Sequence, residues 1–105
     1  MPGPSRKEQL EAMLAEDPKD PFLHYGLAME HLSAGDDRKA VEVFRGLTEL
    51  APDYVPAYMQ MGQALLRLGR ADEARTVWQR GVVEAHKQGN DHASGEMQGM
   101  IEMLD

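Results

Sequence analysis

The chain has 105 residues, a formal net charge of -7 and no cysteine, so it can form one domain with a modest core. The acidic balance argues against nucleic-acid partners, whose affinity comes mainly from Lys and Arg on phosphates, and against anionic membrane surfaces. The missing cysteines exclude disulfides and thiolate metal sites and fit a reducing compartment, so we expect a cytoplasmic protein. No segment approaches the roughly 20 apolar residues that span a bilayer.

Capping and turn residues predict six helices in chain order. Ser5 and Glu8 have the spacing of a capping box, which predicts a first helix over about residues 6–16. The other five helices are each bounded by residues typical of helix ends. The second helix is bounded by Asp20–Pro21 and Gly35, and the third by Asp36 or Asp37 and Pro52. The fourth is bounded by Pro56 and Gly69 and the fifth by Asp72 and Gly89, and the last begins at Asn90 or Asp91.

The sequence repeats itself with a period of 34 residues. Identical pairs at this spacing are Leu32/Leu66, Gly35/Gly69, Ala40/Ala74, Val43/Val77 and Ala51/Ala85. Chemically similar pairs are His24/Tyr58, Leu27/Met61, Ala28/Gly62 and Phe44/Trp78. Because the matches fall at helical spacing and at helix ends, they indicate two copies of one helical hairpin.

Small residues predict close contact within each hairpin. Ala28 against Ala40, and Gly62 against Ala74, would let the two helix backbones approach. Where the two helices of a hairpin diverge, the space between them would then be filled by one large aromatic residue, Phe44 in the first hairpin and Trp78 in the second.

This pattern resembles the tetratricopeptide repeat family, which has a 34-residue period. The family motif Trp-x-x-Leu-Gly-x-x-Tyr corresponds in the second copy to Tyr58-x-x-Met61-Gly62-x-x-Leu65. Further matches are Gly69, Ala74 and Trp78 in the second copy and Leu27, Ala28, Gly35, Ala40, Phe44 and Pro52 in the first. Departures are His24 and His31 for large aromatics, Leu47 for a small residue, and His86 for the closing Pro, which lets the fifth helix run on to Gln88.

The resemblance implies an all-α fold, a right-handed α-solenoid of antiparallel helix hairpins with about six helices. Residues 5–17 would form an N-terminal half-repeat, 21–54 and 55–88 the two repeats, and 91–104 a C-terminal capping helix. It also implies a concave groove, lined by the first helix of each hairpin, that holds an extended peptide or a helix of another protein. We therefore expect a non-enzymatic protein-interaction module.

Residues beside the core stripe of those two helices are expected to face the groove. They are Phe22, Tyr25, Met29, Ser33, Met59, Gln60, Gln63 and Arg67. Met and Tyr offer an adaptable apolar surface, Gln can bond a peptide backbone, and Arg can bind a carboxylate. Alternatively, Tyr25, Met29 and Met59 pack internally and bind nothing. The Lys and Asn of the family's clamp for acidic chaperone tails are missing, so we predict no such binding.

The last helix carries an apolar stripe at i, i+3, i+4 and i+7, formed by Met97, Met100, Ile101 and Leu104. One interpretation is a cap that covers the fifth helix, as terminal helices of solenoids do. The other is a homodimer contact, which gives the chain a structural or assembly role.

The histidines do not have the spacing of a metal site. His24 and His31 lie two helical turns apart, about 10.5 Å along the axis, and a shared ion needs i, i+4 spacing. His86 and His92 lack a clear third ligand. We expect no metal, no cofactor and no catalytic residues.

Overall fold

The computed structural model of the protein describes residues 3–105, which form six α-helices and no strand. They are α1 (Arg6–Glu16), α2 (Pro21–Ser33), α3 (Asp37–Leu50), α4 (Val55–Arg67), α5 (Ala71–Lys87) and α6 (Asp91–Met103). The predicted all-α fold and its six helices are therefore confirmed.

The predicted capping residues form hydrogen bonds at most of the helix N-termini. Ser5 and Glu8 form both bonds of a capping box, at 3.1 and 3.2 Å. Asp20, Asp36 and Asn90 each accept a backbone N–H of the helix that follows. These bonds satisfy amide groups that have no partner inside the helix.

Three tight turns close the ends of α2, α4 and α5. Gly35, Gly69 and Gly89 adopt φ values of 77°, 77° and 71°, a region that favours glycine. In each turn, the amide after the glycine bonds a carbonyl five residues earlier. The bonds are Asp36 N to His31 O, Arg70 N to Leu65 O, and Asn90 N to Ala85 O, each 2.9 Å.

The helices pack in chain order, each against the next, into a body of 49 × 29 × 19 Å. Short connections make neighbouring helices antiparallel. The α5 helix ends at Lys87, as expected where the family's closing Pro is absent. Phe44, Tyr58 and Trp78 are fully buried in the shared core.

The space beside Gly62 is filled by the Trp78 side chain. A Cβ atom on Gly62 would lie 2.1 Å from Nε1 of Trp78, and its next two neighbours are also indole atoms. Gly62 therefore makes room for a whole indole ring, because a side chain there would overlap it. Ala74 is itself fully buried.

Candidate peptide-binding groove

The predicted groove residues lie on α2 and α4, the first helices of the two hairpins. On α2 they recur at three- and four-residue steps, and on α4 Met59 and Gln60 are each spaced this way from Gln63, so each set shares one face beside the buried stripe. Ala28 is fully buried on α2, and Met61 and Leu65 are buried on α4. The predicted face is less buried than this stripe: its residues are half-buried or exposed.

Tyr25 joins an aromatic cluster at the start of α4. Its ring centroid lies 6.0 Å from Phe44 and 5.4 Å from Tyr54, the residue that precedes α4. Burial raises the pKa of the Tyr25 phenol, and the nearby Gln60 side chain partly offsets this rise. Tyr25 thus packs against the core with one side of its ring, while the residue as a whole stays half-buried.

The two methionines are also shared between core and surface. Met29 and Met59 are half-buried and pack against the core. The Met59 carbonyl accepts the indole N–H of Trp78 at 3.3 Å, and the Gln63 amide lies 3.9 Å from the Met59 sulfur. The internal packing that the sequence offered as an alternative therefore applies to one side of each methionine, while the rest of the side chain stays accessible.

The remaining three residues lie at the two ends of this face. Phe22 is 66% exposed in the first turn of α2, and Ser33 is exposed in its last turn. Arg67 forms two 3.0 Å bonds to the Asp37 carboxylate, which raise the pKa of the Arg67 guanidinium. A ligand carboxylate would have to compete with Asp37 for this guanidinium.

The apolar stripe of α6 packs within the chain, against α5. Met97 is fully buried and Ile101 nearly so. The Met97 sulfur would lie 2.4 Å from a Cβ on Gly81, so the glycine lets α6 approach closely. Met103, outside the stripe, is the exposed apolar residue of α6, with 83% of its surface accessible.

The histidines have separate environments. His24 Nε2 lies 2.7 Å from the Pro18 carbonyl oxygen, and His92 pairs with Glu96 at 2.5 Å. Among residues 3–105, no three His, Asp or Glu side chains are grouped so that they could hold a metal ion. No helix in this range is both long and apolar enough to cross a membrane.

A surface depression of about 230 Å³ lies between α3 and α5, away from the α2/α4 face. It is lined by Arg45, Asp72, Glu73, Thr76 and Val77. Arg45 and Glu73 already bond each other at 3.1 Å, so its main charged groups are paired. The α2/α4 face therefore remains the better candidate site.

Sequence reasoning missed two residues of the α2/α4 face, Asp20 and Tyr54. Asp20 was assigned only as a helix cap, yet burial and, after it, the charge of Asp20 raise the pKa of the Tyr54 phenol. Tyr54 was absent from the sequence pattern because it precedes α4. Both residues stand directly before a first helix of a hairpin, and this position could have indicated that they border the groove.

The fold matches that of a known class of helical-repeat proteins. Residues 31–94 match the family profile described as Tetratricopeptide repeat. The TPR repeat-containing protein PA0015 of Pseudomonas aeruginosa is 33% identical over 98 residues, which cover 93% of each chain. The uncharacterized protein MJ0572 of Methanocaldococcus jannaschii is 39% identical over 72 residues, which cover 68% of this chain and 84% of that protein.

Solved structures agree with this assignment. The solution structure of a tetratricopeptide repeat domain protein from Salinibacter ruber has a TM-score of 0.79 and 34% identity, covering 84% of this chain and 89% of that one. Protein BPP2914 from Bordetella parapertussis has a TM-score of 0.82 and 25% identity, covering 97% and 89%. The chain belongs to the tetratricopeptide repeat family, whose domains are generally protein–protein interaction modules and typically non-enzymatic scaffolds.

Proposed function

We propose that this chain binds an extended peptide segment or a helix of a partner protein on the α2/α4 face. The observation that carries this proposal is the half-buried surface of Tyr25, Met29, Met59, Gln60 and Gln63. It combines adaptable apolar contact area with two amides that can bond a peptide backbone. Tyr25, Met29 and Met59 have less conformational freedom to lose on binding, because they already pack against the core.

The charges on this face support a partner other than an acidic tail. Arg67 is bonded to Asp37, and neither Lys nor Asn occupies the places of Tyr25, Met29 and Gln60. A carboxylate-rich ligand would therefore meet a chain of net charge -7 with its one groove cation already paired. Neutral or basic partner segments fit this face better.

The alternative, assembly of a homodimer through Met97, Met100, Ile101 and Leu104, has less support. Met97 and Ile101 are buried against the rest of the chain, so α6 would have to leave α5 to expose them. This packing favours the capping interpretation of the stripe. We also propose that the module works in the cytoplasm, on the composition alone.

Selection of peptides from a random phage-displayed library, followed by mapping on the ¹⁵N-labelled chain, tests the groove. Bound peptide should shift amide resonances of α2 and α4 more than those of α3 and α5. The variant Gln60→Ala/Gln63→Ala should weaken binding by about thirtyfold, because each of the two lost hydrogen bonds costs on the order of 1 kcal/mol.

A matched control is Gln79→Ala/Gln98→Ala, which removes two exposed amides from α5 and α6. This control should bind like the unaltered chain. If the selected peptides shift α3 and α5 instead, or if both double variants lose affinity equally, the groove assignment is wrong.

A further inference from the structure

The two ends of the molecule carry different charge. Antiparallel connection places the α1–α2, α3–α4 and α5–α6 loops at one end, here called the acidic end and comprising residues 16–20, 49–54 and 84–91. This end has seven acidic and two basic side chains. The opposite end, residues 3–8, 33–39, 67–73 and 102–105, has seven acidic and six basic ones.

The two ends also differ in ion pairing. At the opposite end, Arg67 bonds Asp37 and Arg70 bonds Glu73. Among the Lys and Arg ion pairs of residues 3–105, one lies at the acidic end, between Lys87 and Glu84. Over the whole acidic end the helix dipoles balance, because this end collects the N-termini of α2, α4 and α6 together with the C-termini of α1, α3 and α5. At the start of α2, the Asp20 carboxylate accepts a backbone N–H and so offsets the partial positive charge of that N-terminus.

Aromatic rings and a carboxylate meet where the groove reaches this end. The aromatic–carboxylate corner consists of Asp20, Phe22, Tyr25 and Tyr54. Tyr25 and Tyr54 lie 5.4 Å apart, and Phe22 shares the face of α2 with Tyr25 at i, i+3. Asp20 Oδ1 accepts the backbone N–H of Phe22 at 2.9 Å. Burial and, to a smaller extent, the charge of Asp20 raise the pKa of the Tyr54 phenol.

This combination is suited to a cation. The faces of aromatic rings attract Lys and Arg groups, and a carboxylate accepts charge-assisted hydrogen bonds from them. The same protein contains such a contact, because the Arg80 guanidinium lies 5.5 Å over the centroid of the Tyr58 ring. At the corner, by contrast, Asp20 forms no ion pair with any Lys or Arg of residues 3–105.

We propose that the aromatic–carboxylate corner receives a Lys or Arg side chain from a partner protein segment held in the groove. The inference rests on the proposed function, since the segment must lie on the α2/α4 face. It adds that the partner is basic and that its cation lies at the acidic end. The orientation of the bound segment is thereby set.

Asp20→Asn tests the corner without removing the cap of α2, because Asn caps a helix about as well as Asp. Peptides selected on the unaltered chain should be enriched in Lys or Arg. Asp20→Asn should weaken their binding about fivefold, and Phe22→Leu, which keeps apolar bulk but removes the ring face, somewhat less. Added salt should weaken the unaltered complex more than the Asp20→Asn complex.

The matched control is Asp36→Asn, which makes the same change at a helix cap of the opposite end. Its affinity should fall less than about twofold. Equal losses in Asp20→Asn and Asp36→Asn would show an effect of total charge and overturn the corner. Groove-bound peptides that lack Lys and Arg would also overturn it while leaving the proposed function intact. Failure to find any groove-bound peptide would remove both.

Discussion

The two hairpins follow one 34-residue pattern, yet they are buried to different degrees. The first helix of the second hairpin, α4, buries seven residues, whereas α2 buries Ala28 and His31. The neighbours explain this difference: α4 packs between α3 and α5, while α2 has the short α1 on one side, which buries Leu10 alone. The second hairpin is therefore expected to be the stable centre and the first the more adaptable part.

One hydrogen bond occurs in both hairpins with different chemistry. His24 Nε2 lies 2.7 Å from the Pro18 carbonyl oxygen, and Tyr58 donates to the Pro52 carbonyl at the same 2.7 Å. His24 and Tyr58 are 34 residues apart in the sequence, and so are Pro18 and Pro52. His24, which stands where the family has a large aromatic residue, thus keeps the bond to the preceding loop.

The central aromatic contact differs more. In the second hairpin, Trp78 fills the space beside Gly62 and donates to the Met59 carbonyl. In the first, Phe44 has no donor, and its ring packs against Tyr25. A larger ring is accommodated in the second hairpin because the facing residue has no side chain. The two hairpins therefore depend on matched pairs of residues, and exchanging one member alone should be costly.

The largest effect is expected for Gly62→Ala. The new Cβ would overlap the Trp78 indole, so we expect a loss of about 2–3 kcal/mol in the free energy of unfolding, despite the better helix propensity of Ala. Urea unfolding followed by circular dichroism measures it. In a Trp78→Phe background, which reproduces the aromatic ring of the first hairpin, most of the Gly62→Ala penalty should disappear.

Gly46→Ala is the matched control for that comparison. Gly46 lies within α3 and has no atom within 4 Å of a new Cβ, so this change should stabilise the protein by up to about 1 kcal/mol. If Gly62→Ala behaves like Gly46→Ala, or if Trp78→Phe does not relieve it, the indole does not occupy the space beside Gly62.

A smaller loss is expected for Tyr58→Phe. The change keeps the buried ring but leaves the Pro52 carbonyl without its donor, at a cost of about 1 kcal/mol. The loss should appear in the same urea experiment. Tyr54→Phe is the comparison variant, because the Tyr54 hydroxyl forms no hydrogen bond with another group of residues 3–105. Equal stabilities of the two variants would mean that the bond to Pro52 contributes nothing.

The fold was readable from the sequence because local signals and the repeat agree. Ser5, Asp20, Asp36 and the turn glycines each define a helix end by local backbone chemistry, which needs no knowledge of distant contacts. The 34-residue pattern then determines which helices pair. This is why the number, order and ends of the helices could be predicted closely.

The candidate site was less predictable, because its details depend on contacts between hairpins. The pairing of Arg67 with Asp37 joins residues 30 positions apart, and neither helix pattern indicates it. The contact of Tyr25 with Tyr54 depends on how the second hairpin stacks on the first. Helical spacing predicts which side of a helix a residue occupies but not what the neighbouring repeat places there.

The smallest effect is expected at the junction of the hairpins, where Glu73 bonds Arg70 and meets Arg45 of α3. The hydrogen bonds from Arg70, with its charge and that of Arg45, lower the pKa of Glu73 below its ordinary value of 4.5. A carboxylate with a lowered pKa in the folded state stabilises the fold above its unfolded-state pKa, and this stabilisation is lost as the pH falls through the folded-state value. Glu73→Gln should therefore flatten the fall in stability below about pH 4.5, measured by urea unfolding at several pH values.

Glu49→Gln removes an exposed α3 acid outside this network and should retain the steeper fall, because solvent-exposed charges contribute little. A Glu73→Gln profile that parallels the unaltered chain would mean that the two arginines do not couple the hairpins through this carboxylate.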